Sequence, residues 1–358
     1  MPSLKEIKGR INSISSTLAI TSAMKMVAAA KLQKAQMAIQ NMLPYERRLH
    51  SMLIDLMGAM NISAAASEDG SVRGSGSAER GFDQSGDRLS LSNRHDLAGM
   101  DGAYSLMAQR EVRKVAIVAF ASNSSLCGAF NSNVIREATA VINEYRASGL
   151  GDADITVYSV GRKMAEAMKK LGFPSPADFT KMSDSPSYDA ASALAQELFD
   201  GFVSGRFDKV ELVYNHYKST SSQPTTRQTY LPLSLADATA DLQAGKIADS
   251  ASESDTNRGA ETVGAPVVRQ GSPTTEDLIV EPSKEALIAI LLPKVIRLRI
   301  FTTLLDSAAA EHAARTVAMQ LATDNGNDLL QELTLEYNKG RQQKITSEIL
   351  DLVGGSMQ

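Results

Sequence analysis

The sequence predicts an α/β protein in which a long antiparallel coiled coil of the N- and C-terminal helices carries an inserted Rossmann-like α/β domain. Three observations predict it. The first 42 residues hold an unbroken three-four repeat of seam positions, the middle alternates short apolar runs with amphipathic stretches, and the segment 283–358 returns to helical periodicity. Aromatic residues make up only 5% and Trp is absent, so Ala, Leu, Ile and Met supply the packing, as suits helices in close contact.

The first element is the N-terminal helix, residues 1–61. Leu4, Ile7, Ile11, Ile14, Leu18, Thr21, Lys25, Ala28, Leu32, Ala35, Ile39 and Met42 alternate steps of three and four without a slip. A repeat sustained over five heptads is a coiled-coil signal. A helix running from Ser3 to Met60 would be on the order of 85 Å long at ~1.5 Å per residue, and a helix of that length needs another long one to lie against. The opening MPSLKEIKGRINSI is charged and amphipathic, unlike the apolar core of a signal peptide.

Residues 62–112 change character. SAAASEDGSVRGSGSAERGFDQSG is rich in Gly, Ser and charge, with almost nothing to bury, and reads as a disordered insertion. A second insertion of the same kind occupies 232–282.

Between them, residues 113–231 read as the α/β domain. Val115–Phe120 is an apolar run suited to a buried strand, followed by a helix from Asn133 to Arg146. Strand Ile155–Val160, helices Arg162–Leu171 and Tyr188–Val203 and strand Val210–Tyr214 follow, with Thr226–Leu231 as an edge strand. Alternation of this kind predicts a mostly parallel sheet flanked by helices.

The last element, residues 283–358, raises a local question. Asp324-Asn325-Gly326 has turn chemistry, yet Met319, Ala322, Gly326, Leu330, Leu333 and Tyr337 keep steps of three and four across it. Fixed phase predicts one continuous helix with Gly326 on its packed face. Such a glycine costs about 1 kcal/mol relative to Ala unless a partner helix passes close by. Pro293 is expected to kink or restart the helix. The longest apolar run, Leu287 to Ile296, falls short of the ~20 residues of a spanning helix, so a soluble chain is expected, able to dock on something embedded.

Catalytic constellations are scarce. His50, His95, His216 and His312 show no metal-ligand spacing, and HExxH, CxxC and paired-carboxylate motifs are missing. His312, in EHAAR, reads as a packing or solvated histidine. Cys127, the single cysteine, excludes an intramolecular disulfide. It lies in SSLCGAF after the first strand, where doubly wound folds place ligand loops, but neither a G-x-G-x-x-G nor a P-loop pattern accompanies it. A formal charge of −4 marks neither a nucleic-acid binder nor a membrane-surface protein. The first 36 positions nevertheless set Lys5, Lys8, Arg10, Lys25, Lys31 and Lys34 against Glu6 alone. Lys25 falls in the seam itself, where a charge is costly unless it sets register or reaches a partner.

The terminal segments LKEIKGRINSISSTLAITSAMKMVAAAKLQKAQ and EHAARTVAMQLATDNGNDLLQELTLEYNKGRQQKITSEILDLVGG closely resemble the gamma subunit of F-type ATP synthase. SLCGAFN, ITVYSVGRKMAEAMKKLG, VELVYNHYKS and RQTYLPL resemble the same family in the same order, so the likeness spans the chain apart from the two insertions.

That resemblance implies a rotor shaft that catalyses nothing itself. Its coiled coil would enter a ring of catalytic beta and noncatalytic alpha subunits, which present an acidic loop to it, while its foot would meet the epsilon subunit and the membrane c-ring. No cofactor would bind this chain; ATP, ADP and Mg would sit on the partners. Peripheral placement on the cytoplasmic face of a bacterial inner membrane is implied. The resemblance also assigns catalytic-ring contacts to Met24, Lys25, Arg341, Gln342 and Thr346, with Arg341 an ion-pair donor and Gln342 a hydrogen-bond donor. It assigns membrane-ring contacts to Tyr214, Lys218 and Gln223, and close helix approach to Ala28, Ala29 and Gly326. Without a cysteine pair in either insertion, the thiol switch of the chloroplast relatives has no chemical basis. Two other readings stand beside it: a metabolite- or nucleotide-binding α/β enzyme with a coiled-coil dimerisation arm, and a passive coiled-coil scaffold.

Overall fold

A computed structural model of the chain describes residues 3–59, 106, 110–233 and 284–355. Apart from Leu106, 110–112 and 232–233, the two insertions lie outside the described residues.

Helix α1 spans Leu4–Ala59 and helix α6 spans Lys284–Gly355. Ser3 starts α1, its Oγ accepting the backbone N–H of Glu6 at 3.2 Å, which gives one of the four orphan amides of a helix start a partner. At ~1.5 Å per residue, the 72 residues of α6 extend about 108 Å. Pro293 does not restart α6, which continues through it. Leu292, Val295 and Ile296 on either side are buried, and their packing offsets the roughly 3 kcal/mol that an interior proline costs.

The domain between them has strands β1 (Val115–Phe120), β2 (Ile155–Val160), β3 (Lys209–Asn215) and β4 (Thr225–Leu231), in spatial order β2-β1-β3-β4. β1 pairs parallel with β2 and β3, while β4 pairs antiparallel with β3 as the edge. β1 reads as an unbroken apolar run because both of its faces are covered. Val115, Ile117 and Ala119 pack with Val134, Ala138 and Val141 of helix α2 (Phe130–Ala147) and with Met164 and Met168 of α3 (Arg162–Lys170). Ala116, Val118 and Phe120 face the other way, onto Leu194 and Leu198 of α5 (Tyr188–Val203) and Leu292 to Leu304 of α6. A short helix, α4 (Thr180–Asp184), precedes α5; its five residues are too few to show a period in the sequence.

Tight passage is needed where β2 turns into α3. Gly161 has φ +98, and a Cβ there would lie 2.0 Å from the Ala121 carbonyl oxygen, so only glycine fits. The end of the first insertion also joins this domain. Leu106 is fully buried and accepts the amide of Leu233, and Arg110 donates to the Phe202 carbonyl, a departure from a segment with almost nothing to bury.

Candidate functional site

The seam between α1 and α6 is set by three pairings. A Cβ on Gly326 would lie 2.7 Å from Leu18 Cδ2, one on Gly340 would lie 3.1 Å from Leu4 Cδ2, and Thr323 Oγ1 donates to Thr21 Oγ1 at 3.2 Å. From Leu18 to Leu4 the number falls by 14 on α1 while it rises by 14 on α6, from Gly326 to Gly340. Fourteen residues are two heptads, so the antiparallel register holds without a slip.

Beyond Gly340 the described residues of α1 run out. Residues 341–350 of α6 are all exposed, and this lone helical tip carries Arg341, Gln342 and Thr346 together with exposed Ile345, Ile349, Leu350, Leu352 and Val353. Lys339, Gln342, Gln343, Thr346, Ser347 and Leu350 line a shallow groove along it. Exposed apolar residues on a tip of this kind mark an interaction surface.

At the other end of the shaft, α6 runs alongside β3. Tyr230, opposite the start of β3, donates its hydroxyl to the Ile296 carbonyl at 2.9 Å, and His216, just past the end of β3, meets Asp306. The carboxyl ends of the parallel strands therefore point toward the tip. Doubly wound folds bind ligands in the crevice there, but here α6 fills it: Ala310, fully buried, packs on Cys127 and Phe130. A cavity of about 10 Å³ remains beside Phe120, Ala121, Val160, Ser183 and Glu311, enough for about one water. Arg315 holds the β1 loop, donating to the Ser125 carbonyl at 2.6 Å and Ser124 Oγ at 2.9 Å, and pairs with buried Glu311 at 2.7 Å. Burial raises the Glu311 carboxyl above its ordinary value against the pull of Arg315. Burial, with Lys31 and Arg315 adding, lowers the His312 imidazole to about 4, so it is neutral near pH 7.

A family profile described as ATP synthase matches residues 3–357. The ATP synthase gamma chain of Phocaeicola vulgatus is 47% identical and that of Bacteroides thetaiotaomicron 45% identical, each aligned over the full length of both chains. The chain belongs to the ATP synthase gamma-chain family. A chain in the cryo-EM structure of the Euglena gracilis mitochondrial ATP synthase in rotational state 3 shares the fold at 18% identity, with 99% of this chain and 93% of that one covered and a TM-score of 0.52.

Against this gamma-chain architecture, the residues singled out in the sequence fall into place unevenly. Met24 and Lys25 are half-buried on α1, well below the tip that carries Arg341, Gln342 and Thr346. Ala28 is buried at 2% exposure, but Ala29 is exposed; one residue on is about 100° round the helix, which takes it off the seam. Ala322 is likewise exposed and Thr323 takes its place, since the Thr323 hydroxyl is satisfied by the Met319 carbonyl as well as by Thr21. Tyr214 is a core residue at 8% exposure. Exposed Lys218 and half-buried Gln223 follow the carboxyl end of β3, on the side toward the tip. Sequence reading missed the pairing of Asp306 with His216 and Tyr217 and the hold of Arg315 on the β1 loop, bonds that span 89 to 191 residues of chain.

Proposed function

We propose that this chain is the non-catalytic shaft of a rotary ATP synthase, carrying ion-driven rotation of the membrane c-ring to a hexamer of alpha and beta subunits. The observation that carries this reading is the lone tip of α6 beyond Gly340, exposed on every side and studded with apolar residues. In isolation that surface is unfavourable in water; inside a ring of subunits it would be covered. Arg341 would then donate to carboxylate oxygens of the ring and Gln342 to loop carbonyls. Half-buried Lys25 and the cationic start of α1 suit the acidic loop of the catalytic subunits.

Asymmetry follows from the geometry. A two-stranded shaft has no threefold symmetry, so three surrounding catalytic subunits meet three different faces at any moment, and rotation presents those faces in turn. ATP, ADP and Mg would be bound by the partners and no cofactor by this chain. The foot would meet the epsilon subunit and the c-ring, holding the chain on the cytoplasmic face of a bacterial inner membrane. Against the enzyme reading stands the packing of Ala310 on Cys127 and Phe130, in the crevice where doubly wound folds take a nucleotide.

Co-expression with the alpha and beta subunits tests the proposal. Multisite ATP hydrolysis by the assembled complex should require this chain; a complex that assembles without it and hydrolyses ATP equally well with and without it overturns the reading.

A further inference from the structure

Two loops leave the carboxyl ends of β1 and β3 and grip α6 at positions nine residues apart. The β1 loop is held at Arg315 through Ser124 and Ser125. The β3 loop is held at Asp306, whose Oδ2 lies 2.6 Å from His216 Nδ1 and whose Oδ1 accepts the Tyr217 amide at 2.9 Å. Tyr217 then reaches the second strand of the shaft: its hydroxyl accepts a hydrogen bond from Gln36 Nε2 of α1 at 2.6 Å. Tyr217 also packs against the cluster of Leu32, Ala309 and Ala313 and against that of Cys127, Phe130 and Ala310. Ala309, Ala310 and Ala313 are fully buried, and their small side chains let the loops come in this close.

We infer that Asp306 and Tyr217 form a clasp that locks the α/β domain to both helices of the shaft against twisting, so that they are positioning residues for torque transfer. The inference rests on the rotor reading. Below the clasp, the domain meets α6 through apolar packing from Ile288 to Leu304, which is non-directional, and through two directional bonds, Tyr230 to the Ile296 carbonyl at 2.9 Å and Arg297 to Gln196 at 2.6 Å, neither of which reaches α1. A carboxylate fixed by two donors has one geometry, and Tyr217 ties that geometry to α1 as well. The clasp sits at the tip end of the domain, where a tangential force applied at the foot would otherwise turn into rotation of the domain about α6.

The His216 contact supplies a spectroscopic signature. The hydrogen bond to Asp306 raises the imidazole above its ordinary value, with partial burial and Lys218 opposing. A raised value in the folded state means its contribution is complete below about pH 6.5 and is lost as pH rises through the folded value.

The test uses the complete complex in inverted membrane vesicles, comparing ATP hydrolysis with ATP-driven ion uptake, read by acridine-dye quenching and, in parallel, by radiosodium. With Asp306→Ala, hydrolysis should stay within about twofold while ions moved per ATP fall at least threefold. Tyr217→Phe, which keeps the ring and removes only the acceptor for Gln36, should fall in the same direction by less. In Asp306→Asn the NMR titration midpoint of His216 should drop. Unchanged ions per ATP in Asp306→Ala overturns the inference, as does a parallel loss of hydrolysis and uptake in Tyr217→Phe. If the unaltered chain itself confers no coupled uptake, the rotor reading fails instead, which separates the two.

Discussion

Gly326 offers the sharpest check on how the shaft is packed. Replacing it by Ala has two opposing effects. A helix-interior glycine is about 1 kcal/mol worse than alanine, so the change should stabilise. Against this, the new Cβ would lie 2.7 Å from Leu18 Cδ2 and 3.2 Å from its Cγ, inside the ~3.5–4.0 Å of a good carbon contact. Overpacking costs about 1–3 kcal/mol. Because the nearest atom is the end of a half-buried, flexible side chain, Leu18 can rotate away and the lower figure applies. The two effects cancel to within roughly 0.5 kcal/mol, and Gly326→Ala alone should barely move the urea midpoint. With Leu18→Ala also present, the clash is gone and the propensity gain of about 1 kcal/mol should appear in full. Urea unfolding of the four chains, followed by circular dichroism, gives a double-mutant cycle with an expected coupling near 1 kcal/mol. Additivity within about 0.3 kcal/mol would mean that Leu18 does not sit in the notch and that the register is wrong.

Other consequences are open to measurement. Arg315→Ala leaves the buried Glu311 carboxylate without its partner and should cost roughly 3–5 kcal/mol of unfolding free energy at pH 7; adding Glu311→Gln should recover part of it. Burial alone would raise the Glu211 carboxyl, but hydrogen bonds from Arg227, Lys209 and Tyr145 hold it below its ordinary value. Its stabilising contribution is therefore whole above the unfolded value near 4.5 and is lost as pH falls through the folded value, so Glu211→Gln should flatten the acid limb of a stability–pH curve. Gly161→Ala meets both a positive φ and the Ala121 carbonyl oxygen and should destabilise by at least about 2 kcal/mol, read as a fall in the thermal midpoint. Arg341→Ala and Gln342→Ala touch only the exposed tip, so unfolding should move by less than about 0.5 kcal/mol, while ATP turnover of the assembled complex should fall.

Periodicity carried the shaft, since all twelve seam positions from Leu4 to Met42 are buried or half-buried. Apolar runs carried the strands for the same reason: burial on both faces leaves little choice of side chain at Val115–Phe120. Thr323 escaped because a hydroxyl reads as polar, and only the structure shows that the helix itself and Thr21 satisfy it. The resemblance assigned Ala29 to the close approach, but its phase, one residue past buried Ala28, leaves it exposed. The direction of the loop after β3 was illegible for a different reason. Which end of the sheet faces the tip depends on how α6 lies along β3, and no local pattern records the pairing of His216 with Asp306.

The antiparallel pairing has a cost during synthesis. Leu4 finds its place against Gly340, so the first helix to leave the ribosome waits for the last. Roughly 225 residues separate Ala59 from Lys284, which at ~5–20 residues per second leaves the apolar seam of α1 unpartnered for ~10–45 s. The nascent chain therefore carries a long amphipathic helix in search of any complementary surface. Premature release or a stalled ribosome should leave that helix bound to chaperones or to a second nascent copy.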